Sequence, residues 1–323
     1  MRWGILLPQG EVDDVVASAE YYVTTPAFTV PQHGENDYLD EGIALNLVES
    51  YPIGAINGKF TINSSGGQVY FSKGNLQYQA STNTWRFAEH QNAFVGDATY
   101  GNVYEGGEKC DNALISSTYS GWIDLFIWGT SGYNHGAVYY QPWSTNTDNA
   151  KYYAYGVKTN HLYSSTGQAD WGYNAISNGG EEENSGWRTL TINEWSYVLD
   201  SRVTASGMRW ARGTVNGVNG YILFPDDWSP SIYAITDPDG GNYESNTINA
   251  DDWANFFQAN GAVFLPAAGS RSGNVGTHGY YWSSSNGDNG NGAQSYLLRS
   301  NVKQTYYVYR GNGFSVRLAR NVQ

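Results

Sequence analysis

The sequence predicts an α+β domain: two helices packed on short antiparallel sheets, preceded by a small N-terminal segment. Three observations predict it. Only two stretches after residue 56 carry a helical apolar stripe bounded by caps. Many runs of four to eight residues alternate apolar with polar and are separated by Gly, Ser, Asn and Pro. Finally, 27 Tyr, 12 Trp and 39 Gly among 323 residues favour aromatic-filled cores and tight turns over long helices.

Residues 1–55 differ from the remainder. Residues 1–50 hold nine acids against Arg2 alone. Two short helix-like patches, 12–22 and 38–51, flank TTPAFTVPQHGEN, where two prolines and a glycine interrupt regular structure. Pro52 and Gly54 mark a boundary, so residues 1–55 read as an attachment or assembly segment and 56–323 as the main domain. From Gly58 the pattern is β. KFTIN and QVYFS form a hairpin through Ser64–Gly67, and LQYQA and TWRFA form another through Ser81–Asn83. Residues 96–180 are rich in loops. Most of Trp122, Trp128, Trp143, Trp171, Trp187 and Trp195 are read as pegs that fasten these loops to the domain, each buried indole needing an acceptor for its N–H, with sugar-stacking platforms as the lesser alternative.

The first helix is predicted from about Ile192 to Ser201, opened by the capping box Thr191-x-x-Glu194. The second runs from about Ala250 to Ala259, with Asn249 as N-cap and Asn260-Gly261 as the stop. The strands expected around them are GMRWARG, GYILFP, GAVFLP, YYWSSS, SYLLRS and TYYVYR, then an alternating buried strand on Phe314, Val316 and Leu318.

A net charge of -13 argues against nucleic acid and anionic membranes as partners. No acid follows Asp288, however, so Arg299, Lys303, Arg310, Arg317 and Arg320 read as a local basic face, suited to an acidic glycan or protein. Cys110 is the only cysteine, which excludes internal disulfides and Cys-based zinc sites. His33, His90, His135, His161 and His278 do not approach metal-ligand spacing, and Glu181–Glu183 reads as a solvated loop. Calcium is the one cofactor considered, through the oxygen-rich Asp226-Asp227 and Asp237–Asn242 stretches, although turns and caps explain both. No apolar run approaches 18 residues, so no membrane insertion is expected, and the N-terminus lacks the pattern of a signal peptide.

GWRTLTINEW (186–195) resembles the helix-entry motif of C-type-lectin-like domains of the formylglycine-generating-enzyme branch. GAVFLPAAGSRSG (261–273), YYWSSS (280–285) and GFSVRLAR (313–320) resemble the C-terminal blocks of a paralogous surface-protein family of Bacteroidetes and Fibrobacter. The resemblance covers about residues 56–323. It implies a C-type-lectin-like fold whose C-terminal strands form a ligand-binding sheet. In some phage and bacterial members, diversity-generating retroelements rewrite that surface by substitution at adenines. Asn codons reach Asp, Gly, Ser, His, Tyr, Thr and Ile by such changes, and NGDNGNG (286–292) consists of that set; a plain turn accounts for it equally. The contact surface implied comprises His278, Asn286, Gly287, Asp288, Asn289, Asn291, Gln294, Tyr296, Arg299, Asn301, Lys303, Thr305, Tyr307, Tyr309 and Asn312.

The formylglycine-generating activity needs a cysteine pair near the last strands, which this chain lacks. The expectation is therefore a noncatalytic receptor-binding protein of a phage tail, directed at a cell-surface protein or glycan of a host bacterium. A bacterial surface adhesin, a calcium-dependent lectin and a degenerate enzyme are the competing classes. Whether three copies assemble, as in many tail proteins, stays open at this stage.

Overall fold

A computed structural model describes residues 51–95, 115–133, 140–145, 162, 168–287 and 292–323. The chain divides into Met1–Tyr51 and Pro52–Gln323. The two N-terminal helical patches lie outside the described residues. Ala55, which the sequence assigns to the first segment, is buried in the second unit and bridges Ser72.

The first hairpin forms as expected, with β1 (Phe60–Thr61) antiparallel to β2 (Gln68–Phe71). The Asn63 side chain shapes its turn by accepting from the Ser65 and Gly67 N–H groups, both at 3.0 Å. The second hairpin joins β3 (Leu76–Gln79) to β4 (Thr84–Phe87), and β3 also pairs with β5 (Trp122–Ile123). β6 (Phe126–Ile127) and β7 (Trp187–Thr189) follow.

Helix α1 (Ile192–Ser196) starts at the predicted capping box. The Glu194 N–H donates to Thr191 Oγ1 at 3.2 Å, and Glu194 Oε2 accepts from the Thr191 N–H at 2.7 Å. Arg188 grips the same carboxylate with two nitrogens, each at 2.8 Å. Thr191→Ala is expected to lower the unfolding free energy by about 1 kcal/mol, read as a shift of the urea midpoint at constant slope. The helix continues as a wider π-type turn over Tyr197–Ser201.

β8 (Trp210–Val215), β9 (Val218–Leu223), β10 (Thr247–Ile248) and β11 (Val263–Pro266) make one sheet, ordered β10-β8-β9-β11. β10 runs parallel to β8, so the sheets are not uniformly antiparallel. Helix α2 (Ala250–Asp252) widens over Trp253–Phe257, ends in a 3-10 turn at Gln258–Asn260 and stops at Gly261, whose φ of 80° is left-handed. Alternation along this sheet separates two cores. Ala211, Ile222 and Phe264 face Trp228, Trp253 and Phe257, whereas Trp210, Tyr221 and Leu265 face Trp195 and Leu199.

The C-terminal strands are β12 (His278–Asn286), β13 (Gly292–Arg299) and β14 (Val302–Tyr309), ordered β12-β13-β14. The expected strand over Phe314–Leu318 is in fact two pieces. β15 (Gly313–Phe314) pairs with β6, and β16 (Leu318–Asn321) inserts between β2 and β7. Alternation of burial is also lost, because Ser315 and Arg317 are as fully buried as Phe314, Val316 and Leu318. The linking residues are covered on every side. Ser315 exchanges backbone hydrogen bonds with Tyr280 and Trp282, and Val316 accepts from the Leu76 N–H at 2.9 Å. With β16 beside β2, the two ends of the 52–323 unit share one sheet.

Candidate ligand-binding edge

Strand register assigns the side chains of the last sheet to its two faces. Trp282, Ser295 and Tyr306 are cross-strand neighbours, as are Tyr281, Tyr296 and Thr305. Tyr280, Trp282, Ala293, Leu297 and Val308 belong to one core, with Trp128, Trp171 and Phe314. Tyr281, Tyr296 and Leu298 belong to the other, with Trp195 and Leu199. β12 and β13 are thus covered on both sides. No broad exposed face exists over them; the open part is the edge strand β14, where Gln304, Thr305, Tyr306 and Tyr307 are consecutive exposed residues.

The expected contact residues distribute accordingly. Asn301, Thr305, Tyr307 and Tyr309 are exposed, and His278, Gln294, Arg299, Lys303 and Asn312 are half-buried. Asn286, Gly287 and Tyr296 are buried and leave the contact surface. Asn286 retains only 8% exposure at the bulged end of β12, and its carbonyl accepts from Gln294 Nε2 at 3.1 Å. Tyr296, at 1%, donates its hydroxyl to Asp200 Oδ2 at 2.7 Å. Asp288, Asn289 and Asn291 lie outside the described residues. Gln304 and Tyr306 are exposed beside them, although sequence reasoning did not name them. Period-2 alternation selects one face of a strand, whereas the middle of this edge strand is open on both.

Two devices hold the edge. Asp200, in the widened turn after α1, takes the Tyr296 hydroxyl and forms an ion pair with Lys303. Burial, and then the Asp200 carboxylate, push the Tyr296 hydroxyl pKa upward, keeping it a neutral donor. At the other end Tyr307 lies over Gly287 and Gly292, where a Cβ on either glycine would run into its ring. The Gly287 N–H donates to the Gly292 carbonyl at 2.9 Å. The glycines that the sequence reading assigned to a variable run therefore seat an exposed tyrosine.

The basic face is smaller than the sequence suggests. Arg310 and Arg317 are buried. The Arg310 guanidinium sits 4.8 Å from the Trp128 ring centroid, and its Nε donates to the Gly292 carbonyl at 3.1 Å. Arg317 donates to Gln91 Oε1 at 2.7 Å and Asn75 Oδ1 at 3.3 Å, and burial lowers its pKa to about 10. With Lys303 paired, Arg299 and Arg320 remain as the partly exposed cations of the five.

Two of the carboxylates offered to calcium, Asp226 and Asp239, are engaged by the frame. Asp226 accepts from Thr61, Gln68 and Arg202 at 2.7–2.9 Å. Asp239 accepts from the Arg209 and Trp210 N–H groups at 3.2 Å and pairs with Arg209. Such donors fill the lone pairs a cation would need. Among the described residues no three His, Cys, Asp or Glu are placed to hold a metal ion. Two further acids, Asp124 and Asp170, are buried and carry pKa values raised by burial. Both are sealed from solvent, at 1% and 3% exposure.

Tryptophans act as pegs at several of the expected places. Trp128 Nε1 donates to the Ser283 carbonyl at 2.8 Å, Trp187 Nε1 to Gly179 at 2.7 Å and Trp195 Nε1 to Trp282 at 3.3 Å. Two of the three acceptors lie on β12, so the pegs brace the last sheet directly. Trp122 and Trp143 are only half-buried.

The chain matches no protein-family model, no curated protein and no solved structure. Among the described residues no helix is long and apolar enough to cross a membrane.

Proposed function

We propose that residues 52–323 form a noncatalytic binding domain of the C-type-lectin-like kind, with the β14 edge as its contact surface. The observation that carries this reading is the contrast within one sheet. β12 and β13 lie between two aromatic cores, while Tyr306, Tyr307 and Tyr309 on β14 keep 37%, 45% and 58% exposure. Tyrosine offers large, rigid contact area at low entropic cost, and Gln304, Thr305 and Asn301 beside it offer adaptable hydrogen bonding. Outward residues on such a frame can change at little cost in stability, which is what diversification by a retroelement requires. In this proposal the chain is a tail-associated adhesin of a phage, diversified in that way and attached through residues 1–51. Its target is a protein or glycan on the surface of a host bacterium.

The test is adsorption of the purified chain to a panel of gut Bacteroidetes strains. A Tyr307→Ser/Tyr309→Ser double variant is expected to lose about a hundredfold in apparent affinity, as two central aromatic anchors would, while the chain stays folded with its unfolding free energy lowered by no more than about 1 kcal/mol. Unchanged adsorption, or adsorption to no strain by the parent chain, would count against the reading.

A further inference from the structure

One corner of the last sheet carries a cation that the frame does not use. His278 and Arg299 stand directly opposite each other on β12 and β13, and Val302 follows on β14. Like charges in that relation repel, and the Arg299 charge joins burial in lowering the His278 pKa. Among the described residues, every ion pair engages some other cation. Arg299 Nε is buried without an acceptor. The residue as a whole is half-buried and its guanidinium has no acceptor among the described residues, so an incoming anion would supply one. Thr277 Oγ1 engages His278 Nδ1 at 2.8 Å, and His278 Nε2 has no partner among the described residues. The imidazole stacks on Tyr280 at 5.7 Å between centroids, and Tyr280 neighbours Tyr306 at 5.9 Å. Gln304 and Tyr306 share this face of the sheet with Arg299 and are exposed.

We propose that this corner is a subsite for the carboxylate of an acidic saccharide residue, a uronic acid. Arg299 receives the carboxylate through its guanidinium, and His278, held through Nδ1 by Thr277, walls the subsite with its ring. The Tyr306 ring supports the apolar side of the pyranose, and the Gln304 amide meets its hydroxyls. A flat aromatic beside an amide suits a sugar ring better than an extended peptide, which favours a glycan over an acidic protein. The inference rests on the reading of the β14 edge as a contact surface and adds the ligand class.

The full chain would be titrated calorimetrically with tri-galacturonate and with a neutral galactose trimer. The acidic trimer is expected to bind at least tenfold more tightly than the neutral one. Arg299→Gln should remove at least that tenfold advantage, and Arg299→Lys, which keeps the charge but not the fork, should remove part of it. Both variants should keep the parent's urea midpoint. Equal affinity for the two trimers, no binding of tri-galacturonate, or an Arg299→Gln variant that binds like the parent would each overturn the subsite. So would a tetraglutamate peptide that binds as tightly as the acidic sugar. Bacterial adsorption that depends on Tyr307 and Tyr309 while tri-galacturonate stays silent would remove this inference alone and leave the contact edge standing.

Discussion

Replacing Trp282 with alanine is expected to lower the unfolding free energy of the 52–323 unit by about 5 kcal/mol. The indole is fully buried in the core beneath the last sheet, 4.6 Å from the Phe314 ring centroid. Truncating a buried aromatic costs about 3–5 kcal/mol through lost transfer energy and the cavity left behind. The Phe126 carbonyl also loses the Trp282 Nε1 donor now at 2.6 Å, which adds about 1 kcal/mol. Domains of this kind have about 5–15 kcal/mol in total, so the variant stands at the margin of folding. Trp282→Phe keeps most of the ring volume and should lose much less. Urea denaturation of the three proteins, with slopes compared as well as midpoints, measures both steps. A Trp282→Ala variant within 1–2 kcal/mol of the parent would mean that the cores do not frame the contact edge as described.

The second large effect is on pH. Asp124 is buried at 1% exposure, and burial is the main cause that raises its carboxyl to about 8. The Val95 N–H at 2.8 Å and the nearby Arg271 charge oppose the rise without cancelling it. In the unfolded chain the same group titrates at about 3.9. The folded value is the higher one, so the fold binds this proton more tightly. Stability is then full below about pH 4 and declines as pH rises through the interval up to about 8. At about 1.4 kcal/mol per pH unit the whole interval amounts to roughly 6 kcal/mol. Asp170, buried and raised in the same direction, acts with it. Thermal unfolding of the parent chain is expected to show a midpoint falling between pH 5 and pH 8. Asp124→Asn imitates the protonated form, can still accept from Val95, and should flatten that slope markedly. Parallel slopes in the two proteins would assign the dependence to other groups.

What was legible in the sequence was local. Asn63 and Gly67 close a hairpin through hydrogen bonds spanning two to four residues. Thr191 and Glu194 cap a helix through three. Asn249 and Gly261 bracket the second helix by the same short-range chemistry. The strands β8, β9 and β11 to β14 were legible too, because short runs rich in aromatic and aliphatic residues, bounded by Gly, Pro, Ser and Asn, read as strands, whereas the two-residue β10 was not.

Burial of charge was not legible. Arg310 and Arg317 look like solvated cations in a basic C-terminal stretch, but the groups that receive Arg317 are Asn75 and Gln91, more than 220 residues away in sequence. The same holds for Asp226, which resembles a calcium ligand until Thr61, Gln68 and Arg202 are brought around it. The Phe314–Leu318 run reads as one strand because its apolar residues alternate. Tertiary structure splits it, since one end finds β6 and the other the gap between β2 and β7.

By itself, then, the sequence determined the α+β class, the caps and turns, the aromatic pegs and the existence of three strands near the C-terminus. Each depends on hydrogen bonds or side-chain periodicity within a few residues. Tertiary structure alone decided which of those strands lies open. β12 and β13 have layers on both sides, whereas among the described residues β14 pairs with β13 alone, and that difference comes from the packing of distant segments.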